Sequence, residues 1–214
     1  MPEQNMIEEL FNEEASLTEK QKKILAAAIE TFAEKGFAAT STSEIAKKAG
    51  VAEGTIFRHY RTKKELLLSI VSPMMAKLIA PFVIKDLNKV LNRDFGRYED
   101  FLKAVIENQA AFLKKNMPLL QILIQEIPFQ PELKEQFKEH IAKKILERFQ
   151  KIIEHYQKKG QIIEAPSYSV IRMTLSSIFG YLIARYMIMP EAKWNDEEEI
   201  ERTIHILMNG LSPR

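Results

Sequence analysis

The sequence predicts an all-α protein of about nine helices, and three observations lead there. Apolar residues recur at three- and four-residue spacing along most of the chain, as in Ile24, Leu25, Ala28, Ile29 and Phe32. That is the pattern of a helix with one face turned to a core. Breakers are few, 7 glycines and 9 prolines in 214 residues, too few for short strands that need a turn every ~8–12 residues. Helix starts are also written out as capping boxes, in which a hydroxyl or amide residue is followed three positions later by Glu or Gln: Thr18 with Gln21, Ser41 with Glu44, Asn195 with Glu198.

The elements follow in order. Residues 18–35 form an amphipathic helix that Thr18 caps and Gly36 stops, where a left-handed residue is wanted. Ser41 opens a short helix carrying Ile45, Ala46 and Ala49, and Gly50 ends it after about two turns. A third helix covers about 53–60, with Ile56 and Tyr60 on one face. After Thr62 a longer helix with Leu66, Leu67, Ile70 and Val71 runs towards Pro81, disturbed at Pro73. Residues 82–97 are mixed, with a loop at Asp94, Gly96 and Arg97. Helices are expected over 98–115 and 117–127, the second bounded by Pro118 and Pro128, and over 132–159 with the stripe Phe137, Ile141, Ile145, Leu146, Phe149 and Ile153. The most apolar helix spans 167–189, and a last one, 196–209, is closed by Gly210.

Composition removes several classes of function. There is no cysteine, hence no disulfide, thiolate metal site or thiol nucleophile, and the chain fits a reducing, cytoplasmic setting. The N-terminus has no apolar core of a secretory signal. The longest uncharged run, Met173 to Ala184, is twelve residues against the ~18 or more of a membrane span, so no membrane association is expected. The four histidines, His59, His140, His155 and His205, form no i, i+4 pair. No P-loop, dinucleotide fingerprint or G-x-S-x-G occurs, so the chain is read as no enzyme, with no metal and no cofactor.

Charge is unevenly placed. Residues 1–17 carry five Glu and no base, whereas residues 18–64 carry ten Lys or Arg against five Glu. A basic excess concentrated in one small segment points to a polyanion. Within it, residues 41–60 place a short capped helix, a glycine turn and a second short helix in succession. In such a helix-turn-helix the first helix braces the second, whose residues can enter the major groove, ~12 Å wide. Ile24, Phe32, Ile45, Val51, Ile56, Tyr60 and Leu66 are its expected core.

The run Gly36-Phe37, Thr40 to Ala46, Ala49 to Tyr60, then Lys63 and Glu65-Leu66-Leu67 resembles the tetracycline-repressor (TetR) family of bacterial transcription regulators. The resemblance covers residues 18–67; beyond it only helix number, order and length are similar. It implies a homodimeric, ligand-responsive regulator, a repressor in the usual case, that binds a palindromic double-stranded DNA operator and is released by a small hydrophobic effector. The implied organisation is an acidic extension over 1–17, a DNA-binding domain over 18–64 and a ligand-binding and dimerisation domain over 65–214. The family's DNA contacts fall by position on Ser41, Thr42, Ser43, Glu53, Gly54, Thr55, Phe57, Arg58, His59 and Lys63. Hydroxyls and cations suit phosphate oxygens, Glu53 could accept from cytosine N4, and Thr55 could meet a base edge. Three positions depart from the commoner pattern. Phe57 lacks a tyrosine hydroxyl and keeps only a thymine-methyl contact, Ala52 offers no side-chain cap, and Lys64 adds positive charge.

In the remainder, Ser176, Gly180 and Ala184 stand at i, i+4 and i+8, a row of small residues that lets another helix approach. With Ile183, Met187, Ile200, Ile204, Leu207 and Met208 they are the expected dimer interface, as the resemblance implies for the last two helices. An effector pocket is expected among Met74, Met75, Gln109, Phe112, Met117, Phe149, Arg172, Met173 and Phe179, because methionines and aromatics line adaptable apolar sites and a few polar groups orient the ligand. Two other readings stay open at this point. One is a helical small-molecule-binding or catalytic protein whose N-terminal domain no longer binds DNA. The other is an interaction scaffold using the acidic tail.

Overall fold

The structure, a computed structural model, describes residues 17–73 and 80–211. Among them the chain forms ten α-helices and no strand: α1 Glu19–Ala39, α2 Thr42–Ala49, α3 Glu53–His59, α4 Lys63–Pro73, α5 Ala80–Leu91, α6 Tyr98–Glu126, α7 Pro131–Phe137, α8 Lys143–Lys158, α9 Ser167–Ile183 and α10 Asp196–Asn209. π-helical turns over Lys138–Ala142 and Ala184–Ile188 lead into α8 and continue α9. The all-α class is as expected. No helix of the described residues is long and apolar enough to cross a membrane.

Packing divides the chain into two compact units, Met1–Phe82 with Lys115–Ile141, and Val83–Lys114 with Ala142–Arg214. This is a different division from the functional one expected at residues 64 and 65, because the segment 115–141 returns to the N-terminal helices.

In the first unit the apolar face of α1 meets α2 and α4. Ile24, Ala28, Ile29, Phe32, Ile45, Ile56, Leu66, Leu67 and Ile70 are all buried, each large side chain contributing about 1.5–3 kcal/mol by leaving water. Val51, expected in this core, is only half-buried. Two of the three capping boxes form in full, with Thr18 accepting from the Gln21 N–H and Ser41 from the Glu44 N–H; at Asn195 only the forward bond from the Glu198 N–H is made, at 3.5 Å. Gly36 ends the regular part of α1 with φ 76° and ψ 163°, and one further turn reaches Ala39. Ile122, Leu123 and Leu133 add their side chains from the returning segment.

The second unit is centred on aromatic rings. Tyr98 stacks on Phe101 with centroids 5.8 Å apart and lies 5.1 Å from Tyr156. Phe149 meets Phe101 edge-on at 6.1 Å. The Tyr98 hydroxyl shares a buried hydrogen bond of 3.1 Å with Thr174 of α9. Gln161 accepts from the Tyr98 N–H and donates to the Gly96 carbonyl, both at 2.8 Å, fastening the start of α6.

Three element boundaries differ from the sequence reading. Much of the mixed stretch 82–97 is helical, as α5, with Leu87 and Val90 buried; the polar residues Lys85, Asp86, Asn88 and Lys89 interrupt its apolar stripe. The helices expected over 98–115 and 117–127 are one helix with a break at Asn116 (φ −121°, ψ 20°). Pro118 explains the break, since its ring has no N–H for the preceding turn and clashes with it. The expected continuous helix 132–159 is interrupted by the first π turn.

Candidate nucleic-acid interface

The helix-turn-helix is held by local chemistry. Gly50 adopts φ 66° and ψ 35°, the left-handed conformation that lets the chain leave α2. The Val51 N–H then returns to the Ala46 carbonyl at 3.0 Å. Thr42 donates to the Glu53 carboxylate at 2.6 Å, tying the start of α2 to the start of α3. Glu44 closes the α2 cap and also takes the Lys35 ammonium at 2.7 Å. That ammonium and the Ser41 N–H lower its pKa from 4.5 to about 2. Ala52 takes the cap position of α3 with no side-chain bond.

On α3, Ile56 and Tyr60 point into the core, at 1% and 7% exposure. Glu53, Gly54, Phe57, Arg58 and His59 are exposed, and Thr55 is half-buried. Phe57 at 47% exposure is not a core residue, although a phenylalanine there reads equally well as one. On α2, Ser41 and Ser43 are exposed and Thr42 half-buried. Most of the residues named from the sequence on these two helices are thus open to solvent.

Lys63 stands apart. Its Nζ donates to the carbonyls of Phe37 at 2.7 Å, Thr40 at 2.6 Å and Ala38 at 3.3 Å, and lies 4.5 Å from the centroid of the Phe37 ring. All three ammonium protons are thus directed at the end of α1. Lys64 likewise meets a protein group, Glu132 of α7, at 2.8 Å. The same corner contains residues that sequence reading missed. Glu126, only 8% exposed, accepts from the Phe37 N–H at 3.3 Å, and buried Thr40 donates to the Gly36 carbonyl at 2.8 Å. The Glu126 contact joins positions 89 residues apart, a separation for which helical periodicity has no signal.

Residues 24–70 match the family model described as bacterial regulatory proteins, tetR family. The match covers the helix-turn-helix and the helices on either side of it. Among curated relatives, the fatty acid metabolism regulator protein of Bacillus subtilis is 40% identical over 60 residues, covering 28% of this chain and 31% of the relative. The chain thus spans about a third of that relative's length, as it does for the B. subtilis regulator YerO at 32%. Among solved structures, FadR from B. subtilis in complex with stearoyl-CoA has a TM-score of 0.63 at 23% identity, covering 89% of this chain and 98% of that one. AibR, in complex with isovaleryl coenzyme A and operator DNA, has a TM-score of 0.64 at 16% identity, covering 86% and 98%. At these identities the likeness is one of fold.

The other expected residues are distributed as follows. Met74 and Met75 lie outside the described residues. Phe112 and Phe149 are buried, and Gln109 and Met117 are half-buried. Gln109 donates to the Asn108 side chain at 3.0 Å. Arg172, Met173 and Phe179 are exposed, on the same stretch of α9 as Ser176 and Gly180, which are exposed too. Met173 also lines a cavity of about 580 Å³ with Tyr98, Ser169, Thr174, Leu207 and Met208. Ile200 and Ile204, expected at a dimer interface, are buried at 7% and 8% within their own chain; they are the inner face of α10, which packs on α9. Exposed Ile206, at 47%, was not singled out from the sequence. Ile183, Ala184, Met187, Leu207 and Met208 are half-buried.

Proposed function

We propose that the chain is a ligand-responsive transcriptional regulator, acting as a repressor in the cytoplasm, that binds a palindromic double-stranded operator as a homodimer and is released by a small hydrophobic effector. One observation carries this reading: α3 holds Ile56 and Tyr60 inward and turns Phe57, Arg58 and His59 outward, while Ser43 of α2, to which α3 is tied by the Thr42–Glu53 bond, is exposed as well. Such a helix can enter a major groove while its neighbour crosses the phosphates. Phe57 suits a thymine methyl, Arg58 and His59 suit phosphates, and Ser43 and Thr55 offer hydroxyls to backbone or base edge. Ser41, Thr42, Glu53 and Lys63 position these groups through the bonds described above, and Gly54 leaves room for the DNA backbone. The chain acts by binding and needs no catalytic step.

The dimer forms through the exposed face of α9, with Met173, Ser176, Phe179 and Gly180 and the half-buried Ile183 beside them, together with Ile206 of α10. Large exposed apolar residues concentrated on two adjacent helices mark an association surface. The effector belongs to the acyl-CoA class. Support comes from the fatty acid regulator among the relatives and from the acyl-CoA molecules bound to two structures of the same fold. An effector acts only through its differential affinity for the DNA-bound and released states.

The test is selection of bound fragments from genomic DNA, repeated across salt and with acyl-CoA added. The expected result is one enriched palindrome whose occupancy falls with salt and with acyl-CoA. Phe57→Ala should weaken binding with the salt dependence unchanged, whereas Arg58→Ala should flatten the log–log slope by about 1 for each phosphate it no longer neutralises. Weak, sequence-blind binding would refute the reading in favour of a helical protein that has lost specific DNA recognition.

A further inference from the structure

The second unit carries a groove of about 300 Å³ between α5 and α8. Its floor is apolar, formed by Ile84, Leu87, Leu91 and Ile145, and one wall carries Lys144, Arg148 and Lys151. These three cations stand at i, i+4 and i+7, which puts them on one helical face. Glu147 is the carboxylate on the same groove, so the four charged groups leave a positive excess.

Arg148 is held in an unusual way for this protein. Its Nη1 donates to the side-chain oxygens of both Asn88 and Asn92. These anchors are neutral amides, so they fix the guanidinium without cancelling its charge. Nε and Nη2 make no hydrogen bond among the described residues, and that edge is the one suited to bidentate pairing with phosphate or carboxylate. By contrast, Arg97, Arg185 and Arg202 each meet a carboxylate. Lys144 and Lys151 form no ion pair among the described residues.

We infer that this groove binds the phosphorylated head of an acyl-CoA, its apolar floor taking the aliphatic part that adjoins the phosphates. The inference rests on the acyl-CoA reading above. The charge decides the head group: one fixed arginine would suffice for the single carboxylate of a fatty acid, whereas three cations match a diphosphate and a phosphate monoester. Phosphate favours a bidentate arginine with flanking lysines acting as point charges. The pairing makes binding salt-dependent, because the groove is open to solvent.

The experiment measures binding of palmitoyl-CoA, CoA and palmitate to the full-length protein by titration calorimetry. Wild type is compared with a triple variant, Lys144→Ala, Arg148→Gln and Lys151→Ala, and with Arg148→Lys. Thermal melts show that each variant is folded. The expected result is palmitoyl-CoA binding weakened about tenfold or more in the triple variant and less in Arg148→Lys. CoA binding should fall in parallel, with palmitate binding and ligand-free operator affinity unchanged. Equal palmitoyl-CoA affinity in wild type and triple variant would overturn the groove and leave the effector reading intact. Absence of palmitoyl-CoA binding by wild type would overturn both. An equal loss of palmitate binding would overturn the head-group role, since palmitate has no phosphate.

Discussion

Replacing Lys63 with methionine separates two roles that the same residue could have. The resemblance to TetR regulators implies a phosphate contact. The structure instead directs the ammonium at three carbonyls at the end of α1, two of them at 2.7 and 2.6 Å, and over the Phe37 ring at 4.5 Å. A hydrogen bond to a charged group is worth about 1.5–3 kcal/mol, and a cation–π contact at a partly exposed site about 0.5–1 kcal/mol. Lys63 is half-buried, which keeps each bond near the low end, and the contact to Ala38 is long at 3.3 Å. The loss on Lys63→Met is therefore about 3 kcal/mol, or roughly 6–12 °C in Tm for a chain of this size. The assay pairs a thermal melt with operator affinity across salt. A capping lysine predicts a lowered Tm with an unchanged salt slope. A phosphate contact predicts an unchanged Tm and a slope reduced by about 0.9 for each phosphate, about 1.8 for a dimer. The second outcome would refute the capping argument.

Three further outcomes follow from particular contacts. Ala52→Ser supplies the cap that α3 lacks, on a residue already at φ −70° and ψ 141°; stability should rise by about 1 kcal/mol, read as a higher urea midpoint. Glu44→Gln tests the acid limb. Because Lys35 and the Ser41 N–H hold the Glu44 pKa near 2, below the ordinary 4.5, its ionised form stabilises the fold above about pH 4.5, and that contribution disappears as pH falls towards 2. The stability gap between wild type and Glu44→Gln should be constant near neutrality and close in acid. Tyr98→Phe tests the alkaline limb. Burial pushes the Tyr98 phenol from 10.0 up to about 12, so the unfolded chain ionises first and the stabilisation is lost as pH rises from 10 towards 12. Denaturant melts should show wild type losing its advantage over Tyr98→Phe across that window, and a gap that stays constant would refute the assignment.

The Glu126 and Thr40 contacts explain why the helix-turn-helix is not an isolated module. Glu126 holds the Phe37 N–H while Lys63 holds the Phe37 carbonyl. The turn after α1 is thus gripped from α4 and from the returning end of α6. A buried carboxylate bonded to a backbone N–H is costly to leave unpaired, which ties the position of this turn to that end of α6.

By itself the sequence determined the helical class, the caps at Thr18, Ser41 and Asn195, the left-handed turn at Gly50 and the inward face of Ile56 and Tyr60. Each of these is local. A cap bonds three residues away, a glycine turn concerns one residue's dihedrals, and a helical face repeats every 3.6 residues. The surface of α2 and α3 was legible for the same reason. Tertiary structure decided what local rules leave degenerate. A phenylalanine such as Phe57 fits core and surface patterns equally until the neighbouring helices are placed. Ile200 and Ile204 look like an interface until α9 is seen to cover them. Lys63 carries a charge that suits phosphate or carbonyl alike, and only the arrival of the end of α1 beside it selects the carbonyls. The same holds for Arg148, whose helical neighbours Lys144 and Lys151 are visible in the sequence but whose anchoring by Asn88 and Asn92 depends on α5 lying against α8. Periodicity specifies which side of a helix is apolar; which partner meets that side is fixed by packing between segments far apart in the chain.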